Sequence, residues 1–355
     1  MKKRIVILIS MSILAVMLLT SCSGNGSGLY PNKTSKPAPT SGSDGQSNNG
    51  EEDDIDIELS EPGTGEIKNP SPITGLEMNG DYKPVAVMVE NIAVARPQSG
   101  VIDADLVYEA HAEGGITRWL AVFLSRRPEV VGPVRSVRHY YMYLAQEWDA
   151  YLVHYGQSFI AEELFNKVDV KRLNGFYDDK LFWRDKSRKA PHNVYINIED
   201  CREKIDFSQE CKGFQFSSEA ISGGEAYQKI TIPYNSSENV VSYRYDEQQK
   251  RNLRFVNGKE NTDRETGKQL SAKNIIVQYA KHSILEPGAG YRDVKLTGTG
   301  KAKYFIGGRC FDGTWERKDY DSQTVYYDKS GKEIRLQPGN TWIQLVQTDM
   351  QVKVE

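Results

Sequence analysis

The sequence predicts an α+β protein in which an N-terminal α/β layer domain is followed by a smaller antiparallel β-rich domain. Up to about Ser217, apolar runs typical of buried strands alternate with helical periodicity. Beyond that point, short strands alternate with Gly-containing turn signals, which favours an antiparallel sheet. The folded part is also longer than one hydrophobic core normally serves. We therefore expect two domains, at 73–220 and 221–355.

The chain begins with a pattern typical of a bacterial lipoprotein signal at 1–21. Basic residues 2–4 precede an apolar run at 5–19 that is too short to span a membrane, and small residues then lead to Cys22. A cysteine directly after Leu-Thr-Ser matches the lipobox, where the thiol is diacylated. Two acyl chains, such as palmitate, anchor a protein stably. The prediction is a chain held on the extracytoplasmic face of the cell membrane through Cys22.

Residues 22–72 predict a disordered tether between this anchor and the folded part. Gly, Ser, Asn, Pro and Thr dominate the segment, and an acidic run occupies 51–58. Such a composition buries too little apolar area to offset the entropy of ordering, and acidic runs are more typical of self-repelling linkers than of cation sites. The formal net charge of the whole chain is −3, and loss of the basic leader takes it to −6. This balance gives no support to nucleic acid as a partner.

Within the predicted α/β domain, residues 137–148 carry apolar side chains at helical spacing, and Ser136 stands where an N-cap belongs. Ser158 opens a second helical pattern after a short strand that ends in glycine. The predicted strands of this domain are 83–91, 103–110, 117–125 and 150–156.

The segment GPVRSVRH, residues 132–139, gives the most specific indication of a site. If Ser136 caps the helix, Arg135 and Arg138 lie at its N-terminal end, where free N–H groups and the helix dipole favour an anion. Guanidinium groups add paired donors suited to phosphate or carboxylate. The alternative is that both arginines form structural ion pairs. The acidic candidates for such pairs are Glu109, Glu113 and Asp185.

Two histidines lie near this segment in the predicted layout. His154 ends a strand, and ligands of open α/β sheets bind at the carboxyl ends of strands. His192 follows Pro191 in the basic segment 184–193, and Asn193 offers a further donor. Imidazole exchanges protons near neutral pH, so both are candidates for ligand binding or proton transfer. A buried core histidine at 154 and a solvated loop around His192 are the alternatives.

Together these groups predict a surface-tethered protein with an Arg- and His-lined cleft for an anionic cell-envelope ligand, such as a peptidoglycan carboxylate or a wall-polymer phosphate. Aromatic side chains beside hydrogen-bond donors suit sugar rings. The predicted ligand-binding residues are Tyr108, Glu109, Glu113, Arg118, Arg135, Arg138, His154, Tyr155, Trp183, Arg184, Arg188, His192 and Asn193.

Two other functions stay open. One is a hydrolase or transferase acting on the same polymers, with Glu109 or Glu113 and His154 or His192 as acid and base. The other is an interaction module that offers an edge strand to an envelope protein. The chain has no GxSxG, P-loop, HExxH or SxxK motif and no zinc-ligand spacing, so no catalytic residue, cofactor or metal is assigned.

The cysteines allow a disulfide without requiring one. Cys201 and Cys211 can close a small loop in an oxidising compartment. With Cys310 the folded part has an odd number of thiols, which argues against a disulfide framework. Buried, inert thiols fit the sequence equally well.

Several motifs together resemble the YerB-like lipoprotein family of Gram-positive bacteria. They are PITGL, PVAVMVEN, ARPQSG, ADLVYEAHAEGGITR, GPVRSVR, RDKSRKAPHN and DRETGKQLSAKNIIVQ, and they are spread over most of 73–355. The resemblance implies a membrane-anchored lipoprotein with an N-terminal and a C-terminal family domain, both of unknown function. It carries no catalytic residue over to this chain.

Overall fold

The structure is a computed structural model, and it describes residues 68–206, 208–235, 239–286 and 290–355. The predicted signal peptide, the lipidation site Cys22 and the tether up to residue 67 lie outside the described residues. Within the described ranges, no helix is long and apolar enough to cross a membrane.

Strands dominate the described chain, and helices are few. The α-helices in these ranges are α1 (His139–Gln146), α2 (Phe159–Phe165) and α3 (Ile198–Arg202), with 3-10 turns at Ala93–Ala95, Val101–Asp103, Glu113–Gly115 and Asp179–Leu181. The strands before residue 221 are β1 (Val85–Glu90), β2 (Leu106–His111), β3 (Thr117–Phe123), β4 (Tyr151–His154), β5 (Arg172–Asn174), β6 (Phe182–Arg184), β7 (Val194–Ile196) and β8 (Gln215–Phe216). The later strands are β9 (Glu225–Ala226), β10 (Lys229–Asn235), β11 (Asn239–Asp246), β12 (Arg251–Val256), β13 (Lys259–Glu260), β14 (Ser271–Ala272), β15 (Asn274–Ala280), β16 (His282–Glu286), β17 (Tyr291–Val294), β18 (Gly298–Ile306), β19 (Arg309–Arg317), β20 (Val325–Asp328), β21 (Arg335–Leu336), β22 (Thr341–Gln347) and β23 (Lys353–Val354).

One large mixed sheet organises these strands. Its order is β20-β19-β18-β15-β22-β2-β3-β1-β4-β5, with β9 beside β19. The C-terminal strand β22 pairs in parallel with both β2 and β15. Strands from the predicted domains at 73–220 and 221–355 therefore share one sheet, and the domain boundary itself stays a prediction. The mixed sheet-and-helix class is confirmed, but the expectation of a purely antiparallel second segment is wrong because β15 and β22 run parallel.

Apolar side chains are buried on both faces of the large sheet. Successive side chains of a strand point to opposite faces, and in β1 Met88 joins an apolar cluster that includes α1, whereas Val87 joins a second cluster. This second cluster contains Val241 and Tyr243 of a smaller sheet ordered β13-β12-β11-β10-β23. The large sheet is thus packed between helix α1 on one side and the smaller sheet on the other.

The strand predictions for the first segment hold, since β1 to β4 fall within or overlap the predicted ranges. Helix α2 also begins as predicted, because the Ser158 hydroxyl accepts a hydrogen bond from the Ala161 backbone N–H at 3.2 Å. The N-cap prediction for α1 is wrong. Arg138 occupies the cap position without a side-chain cap, and the Ser136 hydroxyl instead donates to the Tyr155 carbonyl at 3.1 Å.

Candidate functional site

The carboxyl ends of the parallel strands β1, β4 and β5 lie at the same edge of the large sheet. An extended segment around Arg135 passes these ends. The Arg135 backbone N–H donates to the Met88 carbonyl at 2.9 Å, and the Arg135 carbonyl accepts from the Tyr155 N–H at 3.1 Å. Arg135 is therefore held between β1 and the residue after β4, rather than at a helix end. The predicted anion site at the N-terminus of α1 is a misinterpretation for this reason.

Glu90, the last residue of β1, is the centre of the arrangement. Its side chain is 2% exposed. Oε1 lies 3.1 Å from Nε of Arg135, and Oε2 lies 2.7 Å from Nδ1 of His192. Because an ionised carboxylate can only accept, Nδ1 is the ring nitrogen that carries a proton and donates it to Oε2.

The loop that presents His192 is closed by side-chain hydrogen bonds. The buried Asn193 donates through Nδ2 to the carbonyls of Asp185 and Arg188, both at 3.2 Å, and its Oδ1 accepts from Nη1 of Arg184 at 2.8 Å. Hydrogen bonds from Ser187, and a further one from Arg264, lower the pKa of Asp185 to about 2. Asp185, the acidic residue of the loop, is therefore paired with Ser187 and Arg264. His192 contacts Glu90 instead.

Arg184 connects this loop to the segment that carries Arg135. Its guanidinium carbon lies 5.1 Å from the centre of the Tyr155 ring, within cation–π range. Tyr155 in turn pairs with Arg135 through the backbone. We call the resulting group of six residues the Glu90 site. It consists of Glu90, Arg135, Tyr155, Arg184, His192 and Asn193.

The Glu90 site keeps several donors without partners. Among the described residues, no hydrogen bond engages Nη1 or Nη2 of Arg135, Nε or Nη2 of Arg184, or Nε2 of His192. Trp183, which is 39% exposed, lies beside Arg184 in sequence and stacks on Tyr195. The exposed Phe176 packs against Tyr155 with the ring centroids 4.9 Å apart. Unengaged cationic donors are thus bordered by aromatic side chains.

Other predicted site residues pair among themselves. Glu113 receives Arg118 at 3.1 Å and is also held by Arg138, whose Nε donates to Oε2 at 2.8 Å. Burial works to raise the pKa of Glu113, but the hydrogen bond from Arg138 and the charge of Arg118 outweigh it and lower the pKa to about 2. The ion-pair alternative therefore holds for Arg138 but not for Arg135, which pairs with Glu90 instead of one of the predicted acids. Glu113, Arg118 and Arg138 do not join the Glu90 site.

Glu109 is part of a buried network. Nη2 of Arg254 donates to its Oε2 at 2.8 Å, and Thr117 donates to its Oε1 at 2.6 Å. Both Glu109 and Arg254 are 0% exposed. Glu109 therefore cannot reach a ligand in an open cleft, and the prediction of it as a ligand-binding or acid–base group is corrected.

Three further predictions are corrected by burial or by bonding. Tyr108 is buried and accepts a hydrogen bond from Nε1 of Trp148 at 2.8 Å. His154 is buried against Phe165, and this burial lowers its pKa to about 4. Arg188 donates to the carbonyls of Ala95 at 2.7 Å and Pro97 at 2.5 Å, which ties its loop to the turn after β1.

The acid–base pairs expected from sequence are not assembled. In the described part of the chain, neither Glu109 nor Glu113 contacts His154 or His192. The carboxylate that contacts His192 belongs to Glu90, which was not among the site residues predicted from the sequence. A signal was present, because Glu90 is a charged residue at the end of the otherwise apolar run PVAVMV.

Larger hollows lie elsewhere on the molecule. Two of them, with volumes of about 720 and 610 Å³, share Tyr279, Lys301 and Thr348 in their walls and contain none of the Glu90 site residues. The Glu90 site is therefore a surface site formed by side-chain tips rather than one of these cavities.

The structure has Cys201, Cys211 and Cys310 as free cysteines. Burial raises the pKa of Cys201 to about 12 and those of Cys211 and Cys310 to about 11. The disulfide alternative for Cys201 and Cys211 is thus corrected in favour of protonated thiols. Across the residues that the structure describes, no group of three or more His, Cys, Asp or Glu side chains is placed to hold a metal ion.

Comparisons with known proteins match most of the folded part. The “Protein of unknown function (DUF3048) N-terminal domain” matches residues 73–211, and the DUF3048 C-terminal domain matches residues 230–343. “Putative lipoprotein YerB” of Bacillus subtilis (strain 168) is 37% identical over 288 residues, covering 78% of this chain and 86% of that protein. The crystal structure of the Bacillus subtilis YerB protein matches with a TM-score of 0.72 and 36% identity, over 81% of this chain and 100% of that chain.

Proposed function

Because the chain belongs to the DUF3048 family together with YerB, we propose that it is a lipid-anchored extracytoplasmic lipoprotein whose Glu90 site binds an anionic ligand of the cell envelope. The lipid anchor is supported by the lipobox that ends at Cys22 and by the similarity to YerB, which is named a putative lipoprotein. The ligand class is a carboxylate of peptidoglycan or a phosphate of a wall polymer.

The observation that carries the binding proposal is the imbalance of charge around Glu90. One carboxylate serves both Arg135 and His192, and Arg184 pairs only with the neutral amide of Asn193. The site thus keeps a net positive charge in a chain whose overall charge is −3. Its anion affinity is a local property of these side chains.

The donor geometry suits a carboxylate or phosphate. Each guanidinium presents its donors as a planar fork that matches two oxygens of such a group. Glu90 forms an ion pair with Arg135, and none of the three guanidinium nitrogens of Arg135 makes a hydrogen bond among the described residues. Asn193 fixes Arg184 through Nη1 and leaves Nε and Nη2 available. Holding the side chains in advance reduces the entropy lost when a ligand binds.

The aromatic border suits the sugar part of an envelope polymer. Tyr155 lies under Arg184, and the exposed Phe176 packs against Tyr155. Sugar rings pack their apolar faces on aromatic side chains while hydroxyl and acidic groups find hydrogen-bond donors. A glycan that carries an acidic group matches both parts of this surface.

The experiment is retention of the purified full-length protein on isolated cell walls of the parent bacterium, before and after chemical removal of wall phosphate polymers. Arg184→Ala should lower retention by about tenfold, since hydrogen bonds to charged groups are worth about 1.5–3 kcal/mol. The matched control is Arg309→Ala, which removes an exposed arginine outside the Glu90 site. Equal retention of the two variants would contradict the proposal. Loss of wild-type retention after phosphate removal would identify phosphate rather than carboxylate as the ligand.

A further inference from the structure

We propose that the Glu90 site is also catalytic, with His192 acting as a general base in the hydrolysis of a phosphodiester. This inference rests on the proposed anion binding and adds a reaction to it. The substrate class is a phosphodiester of an envelope polymer or lipid headgroup.

The first argument is the orientation of the imidazole. Nδ1 of His192 is 2.7 Å from Oε2 of Glu90, which fixes the ring and the tautomer. The lone pair is then on Nε2, which has no partner among the described side chains and belongs to a residue that is 24% exposed. A carboxylate that orients one ring nitrogen while the other faces the substrate is the arrangement of an effective general base.

The second argument is that Glu90 is held independently of His192. It ends a central strand of the large sheet and is 2% exposed. Its own backbone carbonyl accepts a hydrogen bond from Nε2 of Gln98 at 2.9 Å. Arg135 on Oε1 balances the buried charge. The carboxylate is therefore a positioning group on a rigid element, as a precise catalytic geometry requires.

The third argument concerns the electrophile. Arg135 shares the Glu90 carboxylate with His192, and Arg184 donates to Asn193, the residue that follows His192. Two guanidinium forks can bind the non-bridging oxygens of a phosphodiester and stabilise the charge that develops on them in the transition state. Water is the nucleophile of the proposed reaction.

The reaction then balances without a further reactant. Nε2 of His192 takes one proton from a water molecule while its oxygen forms a new bond to phosphorus. The bond between phosphorus and the leaving alcohol oxygen breaks, and that oxygen receives the proton from Nε2. The products are a phosphomonoester and an alcohol, and His192 returns to its starting form.

The experiment measures release of 4-nitrophenolate from bis(4-nitrophenyl) phosphate by the full-length protein in detergent, across a pH series. His192→Gln should lower the rate by about 10²- to 10⁴-fold, the usual contribution of general acid–base catalysis. Added imidazole should restore part of the rate in His192→Gly, which a purely structural role of His192 would not produce. The matched control is His139→Gln, because His139 also contacts a carboxylate, Asp293, at 2.8 Å, yet lies outside the Glu90 site.

Glu90→Gln provides a separate readout. It removes the carboxylate that orients the imidazole of His192, so kcat should fall with little change in KM. Wild-type release no faster than in His192→Gln, with wall retention intact, would overturn the catalytic proposal and leave anion binding standing. Absence of both release and retention would overturn the two proposals together. An unchanged kcat in Glu90→Gln would overturn the role of Glu90.

Discussion

Oε2 of Glu90 and Nδ1 of His192 lie 2.7 Å apart, although 102 positions separate the two residues in the chain. Glu90 ends a buried strand, and His192 lies in a basic loop. This contact joins a buried strand of the large sheet to the basic segment 184–193. Because Glu90 also contacts Arg135, it brings two of the predicted basic side chains, Arg135 and His192, into one site.

Replacing Glu90 should destabilise the protein locally. Glu90→Ala removes the shared partner of Arg135 and His192, and we expect a loss of about 1–3 kcal/mol, because charged groups are left unpaired. Urea unfolding measures this loss, with Glu90→Gln as the shape-matched comparison. A midpoint unchanged from wild type in both variants would show that the contact does not contribute to folding.

Glu113 should make the free energy of unfolding depend on pH in the acidic range. Its pKa is about 2 in the folded protein, below the ordinary value of 4.5. A lowered pKa contributes stability that is complete above the unfolded value and is lost as the pH falls toward 2. Wild type should therefore lose more stability than Glu113→Gln between pH 5 and pH 2.5, as measured by chemical unfolding at each pH. Parallel pH curves for the two proteins would contradict the assigned ion pairs with Arg118 and Arg138.

The Glu109–Arg254 pair should be structural. Both side chains are 0% exposed, and removal of one member of a buried ion pair typically costs about 3–5 kcal/mol. Arg254→Met should thus lower the free energy of unfolding strongly, while protein that remains folded keeps its wall retention. The comparison is Arg126→Met, at an ion pair whose arginine is 46% exposed, where little change is expected. A mild effect of Arg254→Met would show that the network is not essential to the core.

The free thiols should be detectable chemically. In the folded protein, DTNB should react slowly with Cys201 and Cys310, since both are buried and burial raises their pKa values. After unfolding without reductant, the thiols of Cys201, Cys211 and Cys310 should all react. Reaction of Cys310 alone under these conditions would indicate a Cys201–Cys211 disulfide and contradict the structure.

The elements that depend on local pattern were predictable. The apolar run of β1 and the cap of α2 at Ser158 follow from a few neighbouring residues, and both occur in the structure. The family resemblance is confirmed by the matches to DUF3048 and YerB. Cys22 lies outside the described residues, so its lipidation stays a prediction.

The elements that depend on distant pairing were not predictable. Ser136 resembles an N-cap in sequence, but Arg135 pairs with Met88 and Tyr155 and keeps the segment extended. The placement of β22 between β2 and β15 joins strands that are far apart in sequence. The site followed the same pattern. Five of its residues were predicted, but Glu90, which contacts both Arg135 and His192, was not.

The most direct test of the proposed anion site is the dissociation constant of the full-length protein for purified cell walls, measured for a double variant. Arg135→Lys retains a charge beside Glu90 but removes the guanidinium fork, and Arg184→Ala removes the second cation. Combined, they should weaken binding by at least about tenfold without lowering the melting temperature by more than a few degrees. The matched control, Arg309→Lys with Arg335→Ala, changes two exposed arginines outside the Glu90 site and should bind as wild type does. Equal dissociation constants for the two double variants would contradict the Glu90 site as the place where this protein binds the envelope.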